Sequence, residues 1–144
     1  MSLTSIEVVN VLYQYIKNSV LFSDAKKPTG SLKKYQRAVN SIGEDVVING
    51  LPINQEPVQE CVLNINAFVQ NLSITTNGNI DRSEPDTARI LVLSNLVKQA
   101  LNNGKEIWDT AGAYCFKLQQ DRVEPDENNQ HYINFRVEFY SLNI

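Results

Sequence analysis

Apolar residues near the start of the chain recur at helical spacing. They are three or four positions apart, as on the buried face of an amphipathic helix: Val9, Leu12, Ile16 and Val20. Thr4 and Glu7 precede this run with the spacing of a capping box, in which each side chain accepts a hydrogen bond from the other residue's backbone N–H. The pattern predicts a first helix over residues 4–20.

A second helical pattern follows Ser83. This serine suits the N-cap position, Pro85 is favoured in a first turn, and nearby acids suit the positive end of the helix dipole. An apolar stripe then runs to Asn-Asn-Gly at residues 102–104, a sequence typical of a left-handed stop. We predict a helix over residues 84–102. Its stripe consists of Ala88, Leu91, Val92, Leu96, Val97, Ala100 and Leu101.

Other segments alternate between apolar and polar residues, as half-buried strands do. Residues 61–70 are the clearest case, with one apolar face and one face rich in amides. The β-branched residues between glycine-containing turns predict a strand at 45–51. Alternation at 114–118 and 133–139 predicts a final hairpin, whose strands are joined by a long, acidic loop.

The remaining segments carry turn and loop signals. Asn-Gly-Asn at 77–79 marks a turn, and a short helical turn is expected around Trp108. The order of elements predicts an α+β fold: a two-layer domain with a mostly antiparallel sheet of four strands or slightly more, and two main helices packed on one face. The chain has the length of one domain, so we expect residues 1–144 to form a single domain that contains a flexible basic segment at 23–44.

Composition places the chain among ordinary globular proteins. Hydrophobic residues make up 42% of it, charged residues make up 20%, and the formal net charge is -3. This charge is too small to imply a strongly charged partner, so contact with DNA is possible but is not predicted. No apolar run has the length of a membrane span, and no secretory signal opens the chain. We expect a soluble, intracellular protein that does not contact a membrane.

Residues that often carry chemistry form no recognisable motif. His131 is the only histidine, so no second imidazole can share a metal or a catalytic triad with it. Cys61 and Cys115 are expected to be reduced, packed thiols. We predict no enzymatic activity, no cofactor and no metal, and a small carboxylate-dependent hydrolase is the less favoured alternative. Its acids would be Asp121, Glu124, Asp126 and Glu127, which we expect to be solvated.

Positive charge is concentrated in one short segment. Five of the thirteen basic residues fall within twelve positions: Lys26, Lys27, Lys33, Lys34 and Arg37. A solvated, flexible loop accounts for this cluster. The alternative is an interaction arm that binds the acidic surface of a partner or a nucleic-acid backbone.

The order of the elements resembles that of a known family. The matching segments are an N-terminal helix at 5–17, a valine-rich strand at 46–48, a strand at 62–67 that leads into a polar turn, a long helix that carries residues 86–90, and a hairpin that ends at 135–139. In this order the chain resembles the tail terminator, or tail completion, proteins of tailed bacteriophages and prophages, also called head-tail joining or neck proteins. The resemblance covers nearly the whole chain and is one of architecture, without a diagnostic motif.

The resemblance implies a structural virion protein with no active site. Members of this family are α+β subunits that form a ring, typically a hexamer, which caps the tail tube and faces the head connector. The implied partners are further copies of the chain, the tail-tube protein and the head connector proteins. The implied location is the virion, which is assembled in the host cytoplasm. The alternative is an adaptor module, unrelated to phages, that binds one protein partner.

A ring requires two different, complementary surfaces on each subunit. The family supplies no motif for them, so they are assigned from the residues alone. Arg136 and Glu138, on the polar outer face of the last strand, are the candidates for one surface, although plain exposure to solvent also explains them. The basic segment 26–37 is the candidate for the other, as an arm that becomes ordered on assembly.

Overall fold

The computed structural model describes residues 2–142. The helices of this range are α1 (Ser5–Lys17), α2 (Val20–Ser23) and α3 (Thr87–Ala100), and a 3₁₀ turn spans Asn102–Gly104. The strands are β1 (Leu32–Lys34), β2 (Val46–Gly50), β3 (Val58–Gln70), β4 (Ile74–Thr76), β5 (Asn79–Asp81), β6 (Ile107–Trp108), β7 (Tyr114–Asp126) and β8 (Gln130–Leu142).

Six strands form one curled, mixed sheet that resembles half a barrel. Their order is β1-β2-β3-β8-β7-β6, in which β1 runs parallel to β2 and the other pairs are antiparallel. The three longest strands, β3, β8 and β7, lie side by side. The strands β4 and β5 form a separate two-stranded ribbon.

The predicted fold class is wrong. The described part of the chain is mostly sheet, with six strands in the curled sheet, a separate ribbon and three helices. It is not a two-layer α+β domain built on about four strands. The edge strands β1 and β6 have three and two residues, too few for alternation to be recognised. Their extended conformation depends on hydrogen bonds with a neighbouring strand, which lies fourteen residues along the chain for β1 and seven to nine for β6.

The first helix is confirmed, together with its capping box. The backbone N–H of Glu7 donates to Oγ1 of Thr4 at 3.3 Å, and the N–H of Thr4 donates to Oε1 of Glu7 at 3.0 Å. The helix ends at Lys17 rather than at residue 20. Ser19 then caps the short helix α2 by accepting a hydrogen bond from the N–H of Leu21, which turns the chain onto a new axis.

The second predicted helix is confirmed as α3, but its first turn is not where the sequence placed it. Asp86 is the N-cap and accepts a hydrogen bond from the N–H of Arg89 at 3.1 Å. Ser83 and Pro85 precede the helix, and Ser83 bonds to the carboxylate of Asp81 instead. The predicted left-handed stop is confirmed by positive φ at Asn102, Asn103 and Gly104.

The predicted strands are confirmed, and those of the final hairpin are longer than predicted. The segments 45–51 and 61–70 correspond to β2 and to most of β3. The strands of the hairpin each have thirteen residues, so its connection is a short turn at 127–129 and not a long loop. Asn128 and Asn129 adopt the left-handed conformation that this tight turn needs.

The two shorter signals have different outcomes. The helical turn around Trp108 is wrong, because Trp108 lies in β6 and pairs with Cys115 of β7. The turn at 77–79 is confirmed as the connection of the β4–β5 ribbon. Asn77 and Gly78 both have positive φ there, as a two-residue hairpin turn requires.

One cluster of buried apolar side chains packs between the sheet and the helices. The stripe predicted on α3 is wrong at its start, because Ala88 and Leu91 are exposed. The buried residues of this helix are Ile90, Leu93, Leu96, Val97 and Ala100. The sheet contributes alternate residues of its two central strands: Cys61, Leu63, Ile65, Ala67, Val69, Ile133, Phe135, Val137 and Phe139.

Candidate interaction surfaces

The sheet face opposite the core carries hydrogen-bonded asparagines. Nδ2 of Asn134 donates to Oδ1 of Asn66 at 2.7 Å and to Oδ1 of Asn64 at 3.2 Å. Nδ2 of Asn64 donates to Oδ1 of Asn49 at 3.0 Å. These bonds join β2, β3 and β8, so the amide-rich face predicted at 61–70 is bonded within the subunit and stabilises the pairing of the strands.

Arg136 and Glu138 lie on this same outer face. Arg136 is opposite Asn64 in the register, and its Nε is buried without a hydrogen-bond partner in the part of the chain that the structure describes. Glu138 accepts a hydrogen bond from the hydroxyl of Tyr140 at 3.2 Å, which raises the pKa of Tyr140. A buried N–H without an acceptor costs free energy, so this guanidinium is held at a cost to the stability of the fold.

The basic segment 26–37 contains two kinds of side chain. All four lysines are exposed: Lys26 and Lys27 follow α2, and Lys33 and Lys34 belong to β1. The Nζ of Lys34 lies 4.6 Å from the centre of the Tyr13 ring. The charges of Lys26, Lys27 and Lys33, which form no ion pair within residues 2–142, are available to a partner.

Arg37, in contrast, holds together the loop that precedes β2. Its Nε donates to Oδ2 of Asp45 at 2.9 Å, and its Nη2 donates to the backbone oxygens of Ser41 and Gly43 at 3.1 and 3.0 Å. Burial disfavours the charged form of Asp45, but hydrogen bonds from Ser31, Ser41 and Arg37 outweigh it and hold the pKa below its ordinary value. The loop is thus closed around an ion pair.

This closed loop presents two apolar side chains to solvent. Val39 and Ile42 are 83% and 77% exposed. Asn40, between them, has a φ of 57°, which turns the chain sharply. Single exposed apolar residues are common, but two on one closed loop form an apolar tip, which we call the apolar knob (residues 39–42). In the sequence, only these two apolar residues within a polar stretch indicate the knob.

A groove of about 840 Å³ lies at the other end of the strand order. It is lined by α1, α2, the end of α3, β6 and the start of β7. We call it the aromatic groove, after Tyr15, Trp108, Tyr114 and Phe116. The rings of Tyr15 and Phe116 meet edge to face at 5.1 Å, and Trp108 is 58% exposed. Sequence patterns do not predict this groove, because its walls come from distant segments.

One residue that lines the aromatic groove, Asn10, carries an unpartnered polar atom. Oδ1 of Asn10 is buried and accepts no hydrogen bond from residues 2–142. A buried acceptor without a donor costs about 1–3 kcal/mol. Burial raises the pKa of Tyr15, which lines the same groove. An occupant that brings apolar side chains and one hydrogen-bond donor would suit this site.

The acids near the final hairpin are spread along a strand and the turn that follows it. Asp121, Glu124 and Asp126 lie along β7, and Glu127 lies in the turn that follows. Glu124 pairs with Arg122 at 2.9 Å, with side chains 34% and 65% exposed. Within residues 2–142, no group of three His, Cys, Asp or Glu side chains is placed to hold a metal ion.

The histidine and the two cysteines have local roles. Nδ1 of His131 lies 2.6 Å from Oδ1 of Asn71, which joins the end of the long hairpin to the segment after β3. The prediction for Cys61 and Cys115 is confirmed, since both are buried and free. Burial raises the pKa of both thiols, and Glu106 adds to this effect at Cys115.

Comparison with known proteins leaves these surfaces as the basis for inferring a function. No protein-family model matches the chain, and no curated protein is significantly similar to it in sequence. None of the helices in the described range has the length and apolar content needed to cross a bilayer.

Proposed function

We propose that the chain is a structural subunit of a phage or prophage virion, of the tail terminator or head-tail joining kind. It assembles with copies of itself into a ring that caps the tail tube and connects it to the head. The order of elements on which the resemblance rests is present in α1, β2, β3, α3 and the β7–β8 hairpin. The subunit acts in the virion after assembly in the host cytoplasm, and it needs no cofactor.

The observation that carries this proposal is the position of two apolar surfaces at opposite ends of the strand order. The apolar knob lies in the connection from β1 to β2, at one end of the sheet. The aromatic groove includes β6, the last strand at the other end. Rings are built from head-to-tail contacts between two different surfaces of each subunit. Two such surfaces at opposite ends allow the same contact to be repeated from copy to copy.

The β4–β5 ribbon also supports a role in assembly. It pairs with no strand of the large sheet, and Ile80 on it is 59% exposed. An isolated two-stranded hairpin is only marginally stable in water. Contact with a neighbouring subunit, a tail-tube protein or a connector protein would stabilise it.

The mass and shape of the particles formed by the purified full chain test the proposal. We expect mass photometry to show one closed oligomer of several subunits as concentration rises, and negative-stain electron microscopy to show rings of uniform diameter. A monomer or dimer at every concentration would contradict the ring and favour the adaptor alternative. We also expect neighbouring genes to encode portal and tail-tube proteins, and unrelated neighbours would count against a virion role.

A further inference from the structure

We infer that the apolar knob of one copy binds in the aromatic groove of the next copy, and that this is the contact between subunits. The inference rests on the proposed function, and it specifies which surfaces meet. It commits to one occupant of the groove, a second copy of this chain. The knob, the groove and the charges beside them supply four separate reasons.

The first reason is that the apolar knob is held ready for binding. Arg37 closes its loop through hydrogen bonds to the backbone oxygens of Ser41 and Gly43. Its guanidinium also lies 4.1 Å from the centre of the Phe68 ring, which fixes the loop against the outer face of the sheet. A loop that is already ordered loses little conformational entropy on binding. Val39 and Ile42 therefore have apolar area to bury at low entropic cost.

The second reason is that the aromatic groove suits this occupant. Its rings offer flat apolar surfaces, and aromatic side chains contribute strongly to the stability of protein interfaces. Trp108 stands 58% exposed and would lose solvent contact under an inserted loop. The aliphatic side chains of Val39 and Ile42 have the apolar chemistry that such a surface binds.

The third reason is a match of hydrogen-bonding groups. Asn10 is one of the residues that line the groove, and its Oδ1 is buried without a hydrogen-bond partner within residues 2–142. The knob carries donors in excess: the side-chain amide of Asn40 and the backbone N–H groups of Val39 and Asn40 form no hydrogen bond within residues 2–142. If the Asn10 side chain rotates to expose this oxygen, any one of these donors could bond to it and remove the cost of leaving it unpaired.

The fourth reason is charge. Two lysines lie near the loop that carries the knob. Lys33 pairs in register with Val47 of β2, and the backbone oxygen of Lys27 accepts a hydrogen bond from Arg89 at the base of the loop. On the β6 side of the groove stand Asp109, which lines it, and Glu106, which accepts a hydrogen bond from Nε1 of Trp108. The ion pairs of the described residues use none of these four groups. Lys105 cancels part of the negative charge on the β6 side of the groove, but the net charge there remains negative and complementary to the lysines.

Site-specific cross-linking tests the contact directly. We would place the photoreactive residue benzoylphenylalanine at position 39 of the full chain, mix it with isotope-labelled wild-type chain, irradiate, and identify the joined peptides by mass spectrometry. The expected products join position 39 of one copy to peptides containing Tyr15 or Trp108 of the other. Products at other surfaces, products within one copy only, or no products would overturn the inference. The control is the same residue at position 80, which should give no product in the groove.

Complementation between two variants tests the head-to-tail arrangement. The knob variant carries both V39D and I42D, and the groove variant carries W108R. All three positions are exposed, so we expect both variants to fold. Circular dichroism checks this expectation. Neither variant alone should assemble. An equal mixture should form a 1:1 dimer and nothing larger, because one intact knob meets one intact groove. No dimer in the mixture would overturn the inference.

The outcomes separate this inference from the proposed function. Rings formed by the V39D and I42D variant would overturn the knob contact and leave the ring proposal standing. Cross-links from position 39 to the groove between copies, without closed rings, would support the contact and contradict the ring. The matched control is L91D, which removes an exposed apolar side chain of α3 that lies outside the knob, the groove and the ribbon, and it should leave a knob-to-groove contact intact.

Discussion

Arg89 of α3 holds Glu44 of the loop before β2 through two hydrogen bonds. They measure 2.8 Å from Nε to Oε2 and 2.7 Å from Nη2 to Oε1. The same Nη2 donates to the backbone oxygen of Lys27 at 3.0 Å. The two charged side chains are only 23% and 13% exposed, so water screens the pair weakly. This contact ties a helix of the core to the loop that carries the apolar knob.

Replacing Arg89 by alanine should lower the free energy of unfolding by about 1.5–3 kcal/mol, because Glu44 would lose its charged hydrogen bonds while its side chain remains largely buried. Arg89→Lys should recover part of the loss, since lysine keeps the charge but cannot form the paired bonds. Urea unfolding measures both variants. The control is Arg122→Ala, whose ion pair is more exposed and should contribute less than about 1 kcal/mol. Equal losses at the two arginines would refute the special role of Arg89.

Acid should weaken the fold through Glu44 and Asp45. Burial disfavours the charge on Glu44, but hydrogen bonds from Arg89 and Thr29 outweigh it, so its pKa, like that of Asp45, lies below the ordinary value. A lowered pKa means that the unfolded chain binds more protons, so stability rises with pH. The contribution is complete above the ordinary values of 4.5 and 3.8, and it is lost as pH falls through the lowered pKa of each group.

The test of this pH dependence is a comparison of unfolding curves in urea across the acid range. The wild-type chain should lose stability more steeply below about pH 4.5 than the double variant Glu44→Gln with Asp45→Asn, which cannot titrate at these positions. The variant should be less stable than the wild type at neutral pH. Parallel curves for the two proteins would show that these carboxylates do not set the acid response.

Leu96→Asp should unfold the protein or destabilise it by more than about 3 kcal/mol, because the charge would enter the core without a partner. Leu91→Asp, on the same helix, is the matched control. Leu91 is 61% exposed, so this change should cost no more than about 1 kcal/mol. Thermal unfolding followed by circular dichroism compares the two, and a cooperative, native-like transition for Leu96→Asp would contradict the position of α3 in the core.

Removing the charges of Lys26, Lys27 and Lys33 should weaken self-association without lowering the melting temperature. The three side chains are exposed and contribute no ion pair to the described fold, while attraction to an acidic surface adds to binding. The triple glutamine variant should therefore associate several-fold more weakly in sedimentation experiments, with a smaller dependence on salt. The triple arginine variant keeps the charges and should associate normally. A large fall in melting temperature would show that the lysines are structural.

Local signals predicted much of the backbone. The capping box of Thr4 and Glu7 and the left-handed stop at 102–104 depend on residues close in sequence, and both are present. Alternation predicted β3 because each of its faces has a different environment along nearly the whole strand. The buried face of α3 is harder to predict, since this helix is apolar on more than one side. Leu91 and Ile90 are adjacent, similar residues, and only packing determines that Ile90 is buried.

The candidate surfaces were only partly accessible to sequence reasoning. The four lysines were identified as available charges, and they are exposed. Arg37 was grouped with them because its charge is the same, whereas the fold places it against Asp45. The aromatic groove was not anticipated at all, because α1 and β6 meet there from distant parts of the chain.

The positions of the long helices, the long strands and the turns can be predicted from the amino-acid sequence, because capping, alternation and left-handed turns are interactions over a few residues. Packing of the whole chain sets three further features: the addition of β1 to the sheet, the buried face of α3, and the placement of the knob and the groove at opposite ends of the strand order. These features depend on contacts between residues far apart in sequence, whose free energies appear only when the whole chain is packed.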